Sequence, residues 1–346
     1  MFALSVLLAT QVGALLPSQG LAVSPNGKWL ATSHGDDRLT LFDLQTERAK
    51  TLRYASKVEG IYPMLRDPSF SRDGSMLTSG SVGPDDSASP VWSTRSWKVI
   101  QEIAVWRTAK SADGMHTLAF SRSGRTVYGL TWDRRGNDDF SQPLYAIDLK
   151  TGLLRYTYYG ICQTFASDPK SEGIFVKNGL GYMLLDFDTH YGGTWGSNAD
   201  MREWVYQGLK PKPDGNQIAI CTGGKVKSTL RVYARTPTEI GDEERKPLAN
   251  ITIDAFGARA VSWIPVHNTI LLAGLDGQVQ IIDPKSKKAI AKWTTPDKQH
   301  LRGCAASPDG RRVYVGGDLG VIYELSARDL SRRRTFMVKK PASDRS

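Results

Sequence analysis

The chain has 346 residues, a net charge of +10 and an isoelectric point near 9.4. Its 40% hydrophobic and 23% charged residues are those of a folded protein, and 33 glycines and 17 prolines without a short period exclude a collagen-like rod. Cys162, Cys221 and Cys304 are too few and too scattered for a disulfide framework or a zinc knuckle; each sits in an apolar run that predicts a buried free thiol.

From Phe2 to Leu16 the chain is apolar and uncharged, and too short to span a bilayer as a helix. Residues 1–14 read as an export signal, with Val12 and Ala14 as the small residues before a cut, or as an extra strand of the fold. The first reading predicts a periplasmic or secreted bacterial protein and the second a cytoplasmic one. No Lys or Arg precedes the apolar part.

Beyond this segment, short alternating runs dominate and long 3.6-residue patterns are absent, which predicts an all-β chain. One turn recurs seven times, at intervals of about 43 to 52 residues. The copies are GLAVSPNG from Gly20, DPSFSRDG from Asp67, TLAFSRSG from Thr117, QTFASDPK from Gln163, GLKPKPDG from Gly208, AVSWIPVH from Ala260 and GCAASPDG from Gly303. Pro presets φ at the first central position of such a turn and Gly accepts the positive φ that ends it. After the turn comes a second strand (KWLATS, RTVYGL, QIAIC, RRVYVGG), then a Gly/Asp-rich break and a third (LTLFDLQ, PLYAIDLKTG, VQIIDPKS), then a weaker fourth (KVIQEIAVW, KAIAKW, RRTFMV).

Four antiparallel strands repeated radially predict a seven-bladed β-propeller, which leaves only short protected edges. The blades fall near 15–62, 63–111, 112–159, 160–205, 206–256, 257–298 and 299–340, followed by a disordered tail at 341–346. Blade four is the least regular, with DTHYGGTWGSNADMREWVYQG in place of a clean fourth strand.

The S-x-[DN]-G turns and the third strands ending in Asp (LFDLQT, YAIDLKT, LLDFDT, IIDPKS) resemble the repeats of WD40-type propellers, over about Pro17 to Lys340. The Gly-His pair before each unit is missing and the Trp-Asp pair is not in its usual place. RRVYVGG and VQIIDPKSKKAIAKW are also similar to the related bacterial repeat named for its Tyr-Val-Thr-Asn signature. The resemblance implies a non-catalytic interaction scaffold whose partner docks at the mouth of the central channel.

Local catalytic signatures are absent: no P-loop, no dinucleotide fingerprint, no H-E-x-x-H, no C-x-x-C and no G-x-S-x-G. Asp186-x-Asp188-x-His190-x-Gly192 is metal-like if read as one strand, whose alternate residues share a face. It lacks the glycine and the bidentate Glu of a calcium loop. No cofactor and no metal are expected.

The repeat alignment gives a stronger constellation. Five residues before each turn serine, or its equivalent, stand Gln19, Arg66, His116, Cys162, Gln207, Arg259 and Arg302. These positions begin the innermost strands and are predicted to circle the channel mouth, where Arg66, His116, Arg259 and Arg302 form an electropositive ring for a carboxylate or phosphate. The loops between second and third strands open on the same face with Asp36, Asp37, Asp85, Asp86, Asp138, Asp139, Asp276 and Asp318. Trp195 and Trp204 lie in the irregular part of blade four, as aromatic anchors or as packing. Trp29, Trp263 and Phe120 are predicted core.

The expected partner is a protein with an acidic or anionic group, bound by a monomer with no membrane span. A propeller hydrolase or lactonase-like enzyme at the same mouth is the alternative, and anionic-polymer or nucleic-acid binding the second. Nucleic acid is not expected, because its non-specific binding needs a continuous basic track and the densest run, Arg332 to Arg334, is short.

Overall fold

The computed structural model describes residues 16–55, 63–82, 88–104, 112–133, 143–158, 162, 164–178, 181–186, 191–195, 208–223, 227–235, 246–254 and 256–338. Blade one comprises β1 (Gly20–Val23), β2 (Trp29–Ser33), β3 (Arg38–Asp43) and β4 (Ala49–Arg53), and blade two β5 (Met64–Phe70), β6 (Met76–Val82), β7 (Ser89–Ser93) and β8 (Val99–Ile103). Blade three holds β9 (Ala112–Phe120), β10 (Thr126–Asp133), β11 (Leu144–Asp148) and β12 (Leu154–Tyr158). Blade four holds β13 (Thr164–Ser167), β14 (Ile174–Asn178), β15 (Gly181–Asp186) and β16 (Tyr191–Trp195). Blade five holds β17 (Leu209–Pro211), β18 (Gln217–Gly223), β19 (Lys227–Ala234) and β20 (Ala249–Asp254). Blade six is β21 (Ala258–Ile264), β22 (Thr269–Gly274), β23 (Gln278–Asp283) and β24 (Lys288–Thr294). Blade seven is β25 (Leu301–Ala306), β26 (Arg312–Gly317), β27 (Val321–Ser326) and β28 (Arg332–Met337).

Every blade is an antiparallel meander, and β6 also pairs with β9, joining blades two and three into one sheet. The innermost strands touch in a closed cycle: β1 with β5, β5 with β9, β9 with β13, β13 with β17, β17 with β21, β21 with β25, and β25 with β1. That cycle makes the molecule a seven-bladed propeller. Seven hydrophobic clusters occur among the described residues, one in each gap between neighbouring blades. A blade therefore has no core of its own. Its middle strands, such as β3, β22 and β27, are buried along their whole length. Both faces of such a strand pack on neighbouring blades, so polar residues such as Thr40 and Glu324 are buried along with the apolar ones.

The repeated turn is held by its own side chains. Ser24 Oγ donates to Asn26 Oδ1 at 2.7 Å and accepts from the Trp29 amide at 2.9 Å; Ser71 with Asp73, and Ser307 with Asp309, do the same. The turns end on Gly27, Gly74, Gly124, Gly215 and Gly310, whose φ of 66° to 74° favours glycine. In blades one, three and six the Asp at the end of the third strand caps the next turn. Asp43 accepts from the Gln45 and Thr46 amides, and Asp148 from the amide and hydroxyl of Thr151. These bonds hold both carboxyls below the usual range.

Blade four corrects the expectation of a missing fourth strand. YGGTW forms β16, with Tyr182 opposite Trp195 and Asp186 opposite Tyr191. The β-forming Tyr, Thr and Trp outweigh the glycine pair. The same pairing overturns the one-strand premise of the metal-like string: Asp186 ends β15 and Gly192 lies in β16, on either side of a hairpin. Asp188 and His190 lie outside the described residues, as do residues 1–15 and the tail. All three cysteines are buried thiols outside any disulfide, and burial pushes the Cys162 and Cys304 thiols up to about 12. Trp263 and Phe120 are buried as expected. Trp29 is half-buried instead, edge-on to Trp97 at 5.2 Å.

Among the described residues, ring closure joins blade seven to blade one through hydrogen bonds and one arginine. The Leu16 amide donates to the Val338 carbonyl at 3.0 Å and the Ser18 amide to the Gly317 carbonyl at 2.8 Å. Arg334 of β28 reaches Glu324 at 2.6 Å, Glu47 at 2.8 Å and the Leu44 carbonyl at 2.8 Å, with its guanidinium 4.9 Å from the Phe336 ring. A residue of the most basic run is thus a latch between the first and last blades.

Candidate functional site at the channel mouth

The positions five residues before the turn share a backbone device. In β9, Thr117 pairs with Leu130 and Met115 with Thr131, so His116 is skipped. In β21 Arg259 is skipped between Ala258 and Ala260, and in β25 Arg302 between Leu301 and Gly303. His116, Arg259 and Arg302 are therefore equivalent β-bulge residues of blades three, six and seven, and a bulge re-aims its side chain out of the ladder. Of His116 only the backbone is described. Gln19 stands just before β1, and its amide donates to the Ser33 carbonyl at 2.8 Å. In β5 the bulge lies between Arg66, opposite Gly80, and Ser69, opposite Thr78.

Cys162 does not belong to this ring. The Asp168 amide bonds the Gly173 carbonyl as the Ser24 amide bonds that of Trp29, so Asp168 is the turn equivalent and Gln163 the position five before it. Gln163 lies outside the described residues, whereas Cys162 packs between blades three and four with Tyr128, Leu130 and Ile174.

The loops between second and third strands do reach the starts of the inner strands. The Leu65 amide donates to the Asp36 carbonyl at 2.7 Å, Asp318 is ion-paired with Arg302, and Asp276 lies 3.7 Å from His300. Their acids are engaged to different degrees. Asp36 accepts from the Arg38 amide at 3.0 Å and from its guanidinium Nε at 2.8 Å, a fork held in a largely buried Arg38. Asp37 is 3.8 Å from the same guanidinium, and burial beside Asp36 raises its carboxyl. Arg66 is exposed and makes no ion pair with a described residue. Asp85, Asp86, Asp138, Asp139, Gln207 and Trp204 lie outside the described residues, and of Trp195 only the backbone at the end of β16 is described.

Two residues of this region were missed by the sequence reading. Asp67, at the bulge of β5 with φ of 40°, accepts from the Thr117 hydroxyl of blade three at 3.3 Å. It is half-buried within the inner strand β5. That burial pushes its carboxyl up to about 6, against the pull of Lys210, Thr117 and Arg66. Lys210, in β17 of blade five, is exposed, and its charge acts on both Asp67 and Cys304. β17 is the innermost strand of blade five, which sets the exposed Lys210 beside the central channel. A signal did exist for Asp67: a Pro following it inside a strand marks a bulge. Lys210 had none, being three residues from the position the alignment selected.

Among the described residues no three His, Cys, Asp or Glu side chains are grouped to hold a metal, and no helix is long and apolar enough to cross a membrane. Residues 19–43, the first blade through the end of β3, match the family model described as WD domain, G-beta repeat. No curated protein matches the chain. The matched repeat in blade one, together with seven four-stranded blades closed into one ring, supports a propeller of the WD40 type.

Proposed function

We propose that this protein is a non-catalytic interaction scaffold that receives an acidic or anionic group of a protein partner at the channel mouth. The observation that carries this reading is the shared bulge, which sets His116, Arg259 and Arg302 at one level on three inner strands. Arg66 and Lys210 add cationic charge to the same mouth and channel. A carboxylate or phosphate entering there meets several donors from separate blades, an arrangement that favours oriented docking. Asp36 and Asp37 are held in place by Arg38 and act as fixed negative charges that orient the partner. The apolar, uncharged run from Phe2 to Leu16 supports a periplasmic or secreted location in this reading.

The test is affinity capture with the intact protein, set against an Arg66→Ala, Arg259→Ala, Arg302→Ala triple variant. The partner retained by the wild type is expected to be lost from the variant. Equal recovery by the two proteins, at equal thermal stability, overturns the assignment of the ring.

A further inference from the structure

The outer edges of blades six, seven and one carry charge that neither the fold nor the channel mouth uses. On β24 and its preceding turn Lys287, Lys288 and Lys292 are exposed; on β28 Arg332 and Arg333 are exposed; on β4 Lys50 is exposed. None of the six makes an ion pair with a described residue. The carboxylates of the same edges are already engaged. Asp283 accepts from the Lys285 and Ser286 amides, Asp329 from the Ser331 amide and hydroxyl, and Glu324 and Glu47 from Arg334.

These edges lie side by side. Trp293 of β24 packs on Tyr323 of blade seven at 5.2 Å, and Arg334 of β28 binds the turn before β4. The bulges continue the pattern. Ile290, skipped between Ala289 and Ala291, and Arg333, skipped between Arg332 and Arg334, occupy equivalent positions on neighbouring blades. Ile290 is 54% exposed and Met337 is 37% exposed, so the cations surround aliphatic side chains.

We infer that the outer edge of blades six, seven and one is a docking surface for an anionic lipid bilayer. Lysines and arginines near such a surface are attracted to its headgroups, and an aliphatic side chain among them gains by entering the interface. A phosphodiester polymer would use the cations but gain nothing from Ile290 or Met337. No aromatic ring on these three edges is exposed for a base to stack on.

The experiment is co-sedimentation of the full chain with phosphatidylcholine vesicles, with and without phosphatidylserine, at low and physiological salt. Binding is expected only with phosphatidylserine, and weaker at higher salt. A Lys288→Gln, Arg332→Gln, Arg333→Gln variant is expected to bind about a hundredfold less tightly. Lys98→Gln with Lys150→Gln, on the edges of blades two and three, is expected to bind like the wild type. Ile290→Ser should weaken binding severalfold at physiological salt, where charge is screened. Thermal melts of all variants are expected to match, since these side chains are exposed. Failure to bind phosphatidylserine vesicles at low salt, or wild-type binding by the triple variant, overturns the inference. So does tighter binding of duplex DNA through the same cations with Ile290→Ser silent, which assigns the surface to nucleic acid instead.

Discussion

Replacing Arg334 with Leu attacks the junction that closes the ring. Its guanidinium makes ion pairs with Glu324 and Glu47 and a hydrogen bond to the Leu44 carbonyl. Those partners also raise the affinity of Arg334 for its proton, against burial. Glu47 is exposed and its pair contributes little, on the order of 0–1 kcal/mol. Glu324 differs, being 3% exposed. Without Arg334 it becomes a buried carboxylate with no counter-charge, which costs about 3–5 kcal/mol. The Glu324→Gln, Arg334→Leu double variant removes that charge and should lose clearly less than Arg334→Leu alone, a non-additivity expected of partners in direct contact. Urea unfolding followed by tryptophan fluorescence measures both values. A loss below about 1 kcal/mol for Arg334→Leu, or a double variant less stable than the single, would refute the view that this pair closes the ring.

Other outcomes follow from single groups. Asp67 has a folded pKa raised to about 6, so it takes up a proton on folding, and its contribution to stability is lost as pH rises through that value. Asp67→Asn should therefore melt above the wild type at pH above 6, with the gap closing toward pH 4; parallel melting curves would contradict this. His34 has the opposite sign. Its ring lies 2.9 Å from the Pro17 carbonyl and 2.8 Å from Thr40 Oγ1, and burial keeps its pKa below the usual value. Its contribution is present at neutral pH and lost as pH falls below about 6.5, so His34→Gln should flatten the acid limb of the stability profile. Gly152 has φ of 70° in the turn between β11 and β12, where other blades place Glu47, Trp97, Lys287 and Leu330 at 57° to 61°. Gly152→Ala is expected to cost about 1 kcal/mol, and Lys287→Gly to gain up to about as much, both by denaturant unfolding.

The fold was legible because the turn chemistry is local. Ser, Asp or Asn, and Gly recur at fixed offsets because each turn uses its own side chains, so seven copies stand out in a linear reading. The shared bulge was legible for the same reason, since counting back from the turn reaches His116, Arg259 and Arg302. Counting fails in blade four, where Asp168 holds the turn and a serine, Ser167, stands one residue before it, so that Cys162 is reached in place of Gln163. It also had no means to find Lys210, whose charge matters only because the ring brings blade five opposite blade two. The basic outer edge was hidden for a related reason. Its cations lie in fourth strands of three repeats, each unremarkable alone, and two of those repeats stand at opposite ends of the chain.

The central claim is that partners engage the face where the inner strands begin. A photo-crosslinking residue at position 66 or 302 samples that face, and one at position 26 or 309 samples the turns at the other end of the inner strands. The captured partner is expected to crosslink from the first pair and not from the second. Crosslinking confined to positions 26 and 309 would contradict it.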